Sequence, residues 1–341
     1  MRILIASGQL PFSAQITDSL AEELRSTVVG AGYAADTVRI PCGAVESKRS
    51  INELMAARLL RFVHSPEDVL IALGYPAHLI QHPHKVIWLA ELASPGPCGK
   101  ALSGPLQQDL EAQNLRRDLE SQAHAEAKKA FVVSTTLSDR WFEEFGVEAA
   151  TLYPPPIINK LSGDAPDGDF ILIPIERGVD NRMELLIEAL RLAAPRVAIK
   201  FVGDGRHADI RRTFEARVAS LGLRDQWQWS DTVSTVPPAE LVKRSKAVLA
   251  VPRGAHNPQS AICAMHLGKP VITTVDSGAV AELVVHRENG WCVEPEPMRL
   301  AEVIDAAWCE TDLAWKFGMS GKECLASMKV DWPRTLERLL G

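Results

Sequence analysis

At 341 residues, with 46% hydrophobic and 23% charged side chains, the chain has the composition of an ordinary soluble globular protein and room for two cores. A formal net charge of −6 argues against broad non-specific nucleic-acid binding, while local basic patches leave a membrane-surface contact open. The six cysteines, Cys42, Cys98, Cys263, Cys292, Cys309 and Cys324, contain no C-x-x-C pair and support neither a disulfide framework nor a zinc motif. The opening Met1 to Ala6 is too short for a signal-peptide core, and no stretch approaches the roughly 20 apolar residues of a membrane-spanning helix. The expected location is the cytoplasm, with a peripheral position at the inner membrane face as a variant of it.

Strand and helix signals alternate along the first half. Ile3–Ala6 reads as a buried strand, and Leu20, Leu24 and Val28 recur at helical spacing. A strand at Thr37–Ile40 follows, then a helix over 51–64 and strands at Asp68–Leu73 and Lys85–Leu89. A polar helix over about 107–128, a strand at Ala130–Ser134 and a helix over 137–145 ending at Gly146 complete this half. Tyr153-Pro154-Pro155-Pro156 continues neither a helix nor a central strand and reads as the interdomain linker.

The alternation restarts after the linker. Phe170–Ile175 is a strand, Met183–Leu192 a helix, and Ile199–Val202 a strand running into Gly203-Asp204-Gly205. Ile210–Leu221 is helical, Trp227-Gln228-Trp229 a short strand, and Pro238 starts a helix. Val248–Pro295 then holds two apolar strands, each followed by a polar loop and a helix start, and the chain ends in helices interrupted near Asp331-Trp332-Pro333. This order predicts an α/β protein of two Rossmann-like, doubly wound parallel-sheet domains. The expected division is 1–153, 154–320 and a C-terminal helix over 321–341 that crosses back to the first domain.

The chain resembles the two-Rossmann-domain (GT-B) glycosyltransferases, especially the retaining family 4 type, also described as group 1. The resemblance rests on Gly203-Asp204-Gly205, on Ala264 to Thr274 (AMHLGKPVITT), on Asp276-Ser277-Gly278 with Glu282, and on Glu288-Asn289-Gly290. In the first half Gly74-Tyr75-Pro76 and His82 to Leu89 look like the corresponding loop and strand, and Leu152 to Pro156 like the link between domains. The resemblance implies a cleft between the domains, a nucleotide-sugar donor held by the second domain, no cofactor and no metal. It also implies a glycan or lipid-linked acceptor, and cell-surface polysaccharide assembly as the setting.

The family's donor glutamates, a pair separated by seven residues, fall here on Ala255 and Cys263. A methyl group accepts no hydrogen bond and a thiol is a weak substitute for a carboxylate. The family's Phe-Gly pair between them is Asn257-Pro258, which suits a helix start better than close approach of a ligand. The diphosphate lysine falls on Asn181, flanked by Arg177 and Arg182, either of which could meet a phosphate or be an ordinary solvated arginine. Gly203, Asp204, Gly205, Asn257, Gln259, Ser277 and Gly278 complete the expected donor set, with Ser277-Gly278-Ala279 offering amides at a helix start. Glu91, at a strand's carboxyl end, is the candidate acid, base or hydroxyl acceptor, against the plainer reading of a surface glutamate.

His78, His82 and His84 read as structural or solvent-facing histidines and His266 as a core or rim residue. Trp227 and Trp229 read as core aromatics, with nucleobase stacking as the alternative. Two functions lead, ahead of a third, sugar-nucleotide epimerisation, which needs carboxylates and histidines that the sequence does not place. One is a glycosyltransferase with displaced donor contacts. The other is a non-catalytic homologue acting as a binding protein or as partner to another glycosyltransferase.

Overall fold

The computed structural model describes residues 1–9, 16–42, 50–62, 65–90, 110–158, 169–175, 179–204, 208–222, 227–232 and 237–341. The chain forms two compact units, Met1–Pro155 with Asp331–Gly341, and Pro156–Val330.

The first unit is a six-stranded sheet of β1 (Arg2–Gln9), β2 (Ala34–Pro41), β3 (Val69–Leu73), β4 (Lys85–Leu89), β5 (Lys129–Val132) and β6 (Ala150–Thr151). The strands run parallel in the order β2-β1-β3-β4-β5-β6. Parallel sheets carry helices on both faces, so their strands read as unbroken apolar runs, which is what makes β3 and β4 legible. Helices α1 (Ile16–Gly30), α2 (Ser50–Leu59), α3 (Leu110–Ala125) and α4 (Thr135–Phe145) connect them. The last helix of the chain, Trp332–Leu340, belongs to this unit, where Lys129 Nζ donates to the Arg338 carbonyl at 3.1 Å.

Boundaries shift where a side chain claims the backbone. The strand expected to reach Ser134 stops at Val132, because Ser134 Oγ accepts from Leu137 N–H at 3.2 Å and caps α4. Gly146 ends that helix in the left-handed region at φ 67°, its N–H bonded to the Phe142 carbonyl at 2.8 Å. The helix expected over 51–64 ends at Leu59, after which Arg61 Nη1 donates to the carbonyls of Arg58 and Leu60. Positions 63, 64 and 107–109 of the expected helices lie outside the described residues.

Polar groups are buried beside this core. His78 Nε2 lies 2.7 Å from Glu120 Oε2, and both residues are almost wholly buried. Lys85 is fully buried, donates to the His78 carbonyl at 3.1 Å and lies 3.6 Å from Glu126; burial pulls its ammonium down to about 8. His82 Nδ1 accepts from His84 N–H at 3.1 Å. His78 and His82 are therefore buried, structural histidines, while the His84 side chain is only half-buried.

The second unit is a parallel sheet of β7 (Ile171–Pro174), β8 (Ile199–Asp204), β9 (Trp227–Thr232), β10 (Ala247–Leu249), β11 (Val271–Thr274) and β12 (Gly290–Val293). Its order is β12-β11-β10-β7-β8-β9. Counted within the unit and read from the other edge, this is 3-2-1-4-5-6, the order of a dinucleotide-binding Rossmann sheet. Helices α5 (Met183–Leu192), α6 (Ala208–Ser220), α7 (Ala239–Arg244), α8 (Gln259–His266), α9 (Pro297–Cys309) and α10 (Thr311–Ser327) surround it, and the final helix becomes α11. Ile171, Ile173, Leu186, Phe201, Leu249, Ile272, Trp291 and Ile304 fill one continuous core.

The helix expected after Gly278 is a short 3-10 segment, Gly278–Leu283. Asp331 caps α11 by accepting from Arg334 N–H at 2.8 Å, so the interruption read at Asp331-Trp332-Pro333 is a helix start with proline in the first turn. No helix among the described residues is long and apolar enough to cross a membrane.

Candidate functional site

In an open α/β sheet a ligand sits outside the carboxyl ends of the strands, where the strand order reverses. In the second unit that point lies between β7 and β10. A pocket of about 520 Å³ opens there, lined by Asp180, Asn181, Arg182, Glu184, Arg253 and Pro295 among others. Its wall includes the first turn of α5 (Met183, Glu184, Leu185), whose N-cap position makes no side-chain capping hydrogen bond. The helix dipole and the first-turn amides, which have no intrahelical acceptor, favour an anion there.

Arg182 is neither a solvated arginine nor a free phosphate ligand. Its backbone adopts φ 50°, its N–H donates to Asp180 Oδ1 at 2.9 Å, and its side chain is only 3% exposed. Nη1 donates to Thr274 Oγ1 at 3.1 Å, Nη2 forms an ion pair with Asp276, and Nε has no hydrogen-bond partner among the described residues. Partial burial pushes the Asp276 carboxyl up, but the adjoining guanidinium outweighs this and holds it below its ordinary value. Arg253, by contrast, is half exposed and lies 3.6 Å from Asp180, an exposed pair that holds little free energy.

Three loops are laced together around this arginine. Arg253 N–H donates to the Asp180 carbonyl at 2.9 Å, and Gly254 N–H to the Asp276 carbonyl at 3.0 Å. Ala279 N–H donates to the Ala255 carbonyl at 2.8 Å. Gly278, at φ 60°, sits so close that a Cβ there would lie 2.4 Å from the Ala255 carbonyl oxygen. Its glycine therefore serves loop packing.

Of the amides expected to be open at Ser277-Gly278-Ala279, that of Ser277 is bonded to the Thr274 carbonyl at 2.9 Å and that of Ala279 to Ala255. Ser277 Oγ lies 2.8 Å from Thr274 Oγ1. The 3-10 segment thus offers a poor anion cradle.

The positions of the two missing carboxylates are packed shut. Ala255 and Cys263 are 1% and 2% exposed. The Cys263 thiol donates to the Ile157 carbonyl at 3.5 Å and accepts from Gln259 Nε2 at 3.5 Å, and burial pushes it up to about 12. Asn257 Oδ1 accepts from Gln259 N–H at 2.9 Å, while Pro258, not Asn257, takes the N-cap position of α8. Gln259 is itself buried, so its side chain supports the helix.

Gly203 and Asp204 are not turn residues: β8 continues through both, paired with Asp231 and Thr232. Glu91, Arg177 and Gly205 lie outside the described residues. Trp229 stacks on Phe201 at 5.8 Å between ring centroids and Trp227 meets Phe214 edge-on at 5.1 Å, which is core packing. His266 is exposed at the end of α8. Among the described residues no group of three or more His, Cys, Asp or Glu is placed to hold a metal ion.

Sequence reasoning missed Asp180, Arg253 and Asp276 as neighbours of Arg182. The available signal was position: each follows a strand bordering, or one removed from, the reversal of strand order.

Two Rossmann-like parallel sheets in one chain, the second with a pocket at its switch point, define a GT-B glycosyltransferase fold. Residues 160–323 match the family described as Glycosyl transferases group 1, so the chain resembles a GT-B group 1 glycosyltransferase. None of the curated proteins matches the sequence. Among solved structures, the chain is similar to sucrose-phosphate synthase from Thermosynechococcus elongatus, 13% identical with a TM-score of 0.69 over 99% of this chain and 96% of that one. Anabaena Alr3699/HepE in complex with UDP and glucose is 15% identical, with a TM-score of 0.67 over 99% and 98%. WaaG, a glycosyltransferase involved in lipopolysaccharide biosynthesis, is 16% identical, with a TM-score of 0.66 over 96% of each chain. At these identities the likeness is one of fold.

Proposed function

We propose that the protein transfers a sugar from a nucleotide-sugar donor to a glycan or lipid-linked acceptor in cell-surface polysaccharide assembly. The observation that carries this reading is the switch-point pocket, where two guanidiniums and the start of α5 meet at the carboxyl ends of β7 and β10. The diphosphate of the donor binds there, and Arg253 is its most accessible cationic contact. HepE, similar over nearly its whole length, is a complex with UDP and glucose, and this supports a uridine nucleotide as the first donor to try. WaaG's part in lipopolysaccharide biosynthesis supports the acceptor class.

Since Ala255 and Cys263 supply no carboxylate, the sugar itself is held by other groups, and donor affinity is lower than two buried carboxylates would give. This same feature favours the second reading, a non-catalytic homologue that binds a nucleotide or a partner without transfer.

Titration calorimetry with UDP, ADP and GDP tests the proposal. At least one nucleotide is expected to bind, and Arg253→Ala to weaken it roughly tenfold or more, the worth of one charge-assisted contact. No binding by any of the three contradicts it. Binding without release of nucleoside diphosphate from any donor sugar, acceptors present, selects the second reading.

A further inference from the structure

Resting on the reading of this pocket as a phosphate site, we propose that Asp276 is an internal stand-in for the donor phosphate, and that it holds the pocket's affinity for nucleotides down until it is displaced. An arginine side chain only 3% exposed must find anionic or polar partners within the protein. A phosphate or carboxylate engages a guanidinium best through two adjacent N–H groups, and the side-on pair is Nε with Nη2. In Arg182 that edge is lightly used: Nη2 is held only by its ion pair with Asp276, and Nε is buried with no hydrogen-bond partner among the described residues. The opposite edge is anchored, since Nη1 donates to Thr274.

The guanidinium is therefore anchored at Nη1, with Nε open among the described residues. The lone carboxylate over it is removable. The Asp276 side chain is 44% exposed, whereas its backbone is pinned by the bond from Gly254 N–H to its carbonyl. A rotation of that one side chain into solvent gives up its bonds from Arg182 and Thr274 and uncovers Nη2 beside the open Nε. An incoming diphosphate then takes the edge that Asp276 leaves, at the cost of separating the ion pair, so the measured affinity is the intrinsic one reduced by that competition. Asp276 thus regulates the site and stabilises the empty protein, keeping a buried cation paired.

The test is calorimetric titration of UDP into wild-type protein, Asp276→Asn, and Asp276→Asn combined with Arg182→Met. The asparagine keeps a neutral acceptor for Nη2 and removes the competing charge. Asp276→Asn is expected to bind UDP about tenfold more tightly than wild type, and the added Arg182→Met to abolish the gain. Unchanged or weaker binding by a folded Asp276→Asn, with wild type binding normally, overturns this proposal alone. Failure of both proteins to bind UDP overturns it together with the phosphate-site reading. Should the variant fold poorly, NMR of the wild type decides: the Arg182 Nε–Hε resonance is expected to shift on saturation with UDP, and an unmoved resonance overturns the proposal.

Discussion

The Cys263→Glu substitution is expected to destabilise the second unit by on the order of 3–5 kcal/mol and to leave nucleotide affinity no better than wild type. It returns one of the two carboxylates that the family resemblance leads one to expect at 255 and 263. Its environment is now the wrong one. Position 263 is 2% exposed, its thiol faces the Ile157 carbonyl, and burial pushes that thiol up to about 12, the mark of a place that resists negative charge. A carbonyl oxygen cannot pair with a carboxylate, and the larger side chain has to displace Gln259. Urea denaturation followed by far-ultraviolet circular dichroism checks the stability, and calorimetry the affinity. A variant as stable as wild type that binds UDP more tightly would mean that the site is open and lacks only its acid.

The second large effect is in the first unit. His78→Leu is expected to cost about 3–5 kcal/mol, because it strands Glu120, 2% exposed, whose Oε2 has His78 as its 2.7 Å partner. Its other oxygen already lacks a hydrogen-bond partner among the described residues. Glu120→Leu added to His78→Leu is expected to recover most of the loss, since apolar residues often replace a buried polar pair at little cost. Denaturation midpoints of the two singles and the double measure this coupling. Additive losses would place the importance of His78 in packing.

The fold was legible because doubly wound sheets bury strands on both faces and leave apolar runs such as Leu70–Leu73 and Ile171–Ile173, separated by helical periodicity. Boundaries drifted where local chemistry was double-edged. Ser134 reads as a strand residue and acts as a helix cap, and Gly203-Asp204 reads as a turn and completes β8. The candidate pocket was legible only in part: Arg253 and Pro295 of its lining fall in Val248–Pro295, and its other lining residues lie at 179–185. Its chemistry was not legible. Whether Arg182 points to water, to a ligand or to another loop depends on Asp276 and Thr274, which lie far along the chain and reach it through the sheet order. The amides of Ser277 and Ala279 looked free in sequence because their acceptors are backbone carbonyls, which carry no residue-specific signal.

Ala255 and Cys263 are where sequence and structure agree most usefully. The sequence says that no carboxylate stands there, and the burial of both residues says that the space has been filled. Under the proposed function, phosphate recognition therefore falls to the switch-point pocket lined by Arg182, Arg253 and the start of α5. The most direct test is a crystal structure of the protein soaked with UDP. The diphosphate is expected within hydrogen-bonding distance of Arg253 and the first amides of α5. UDP seated elsewhere on the fold, or no bound UDP at a saturating soak, would contradict the assignment.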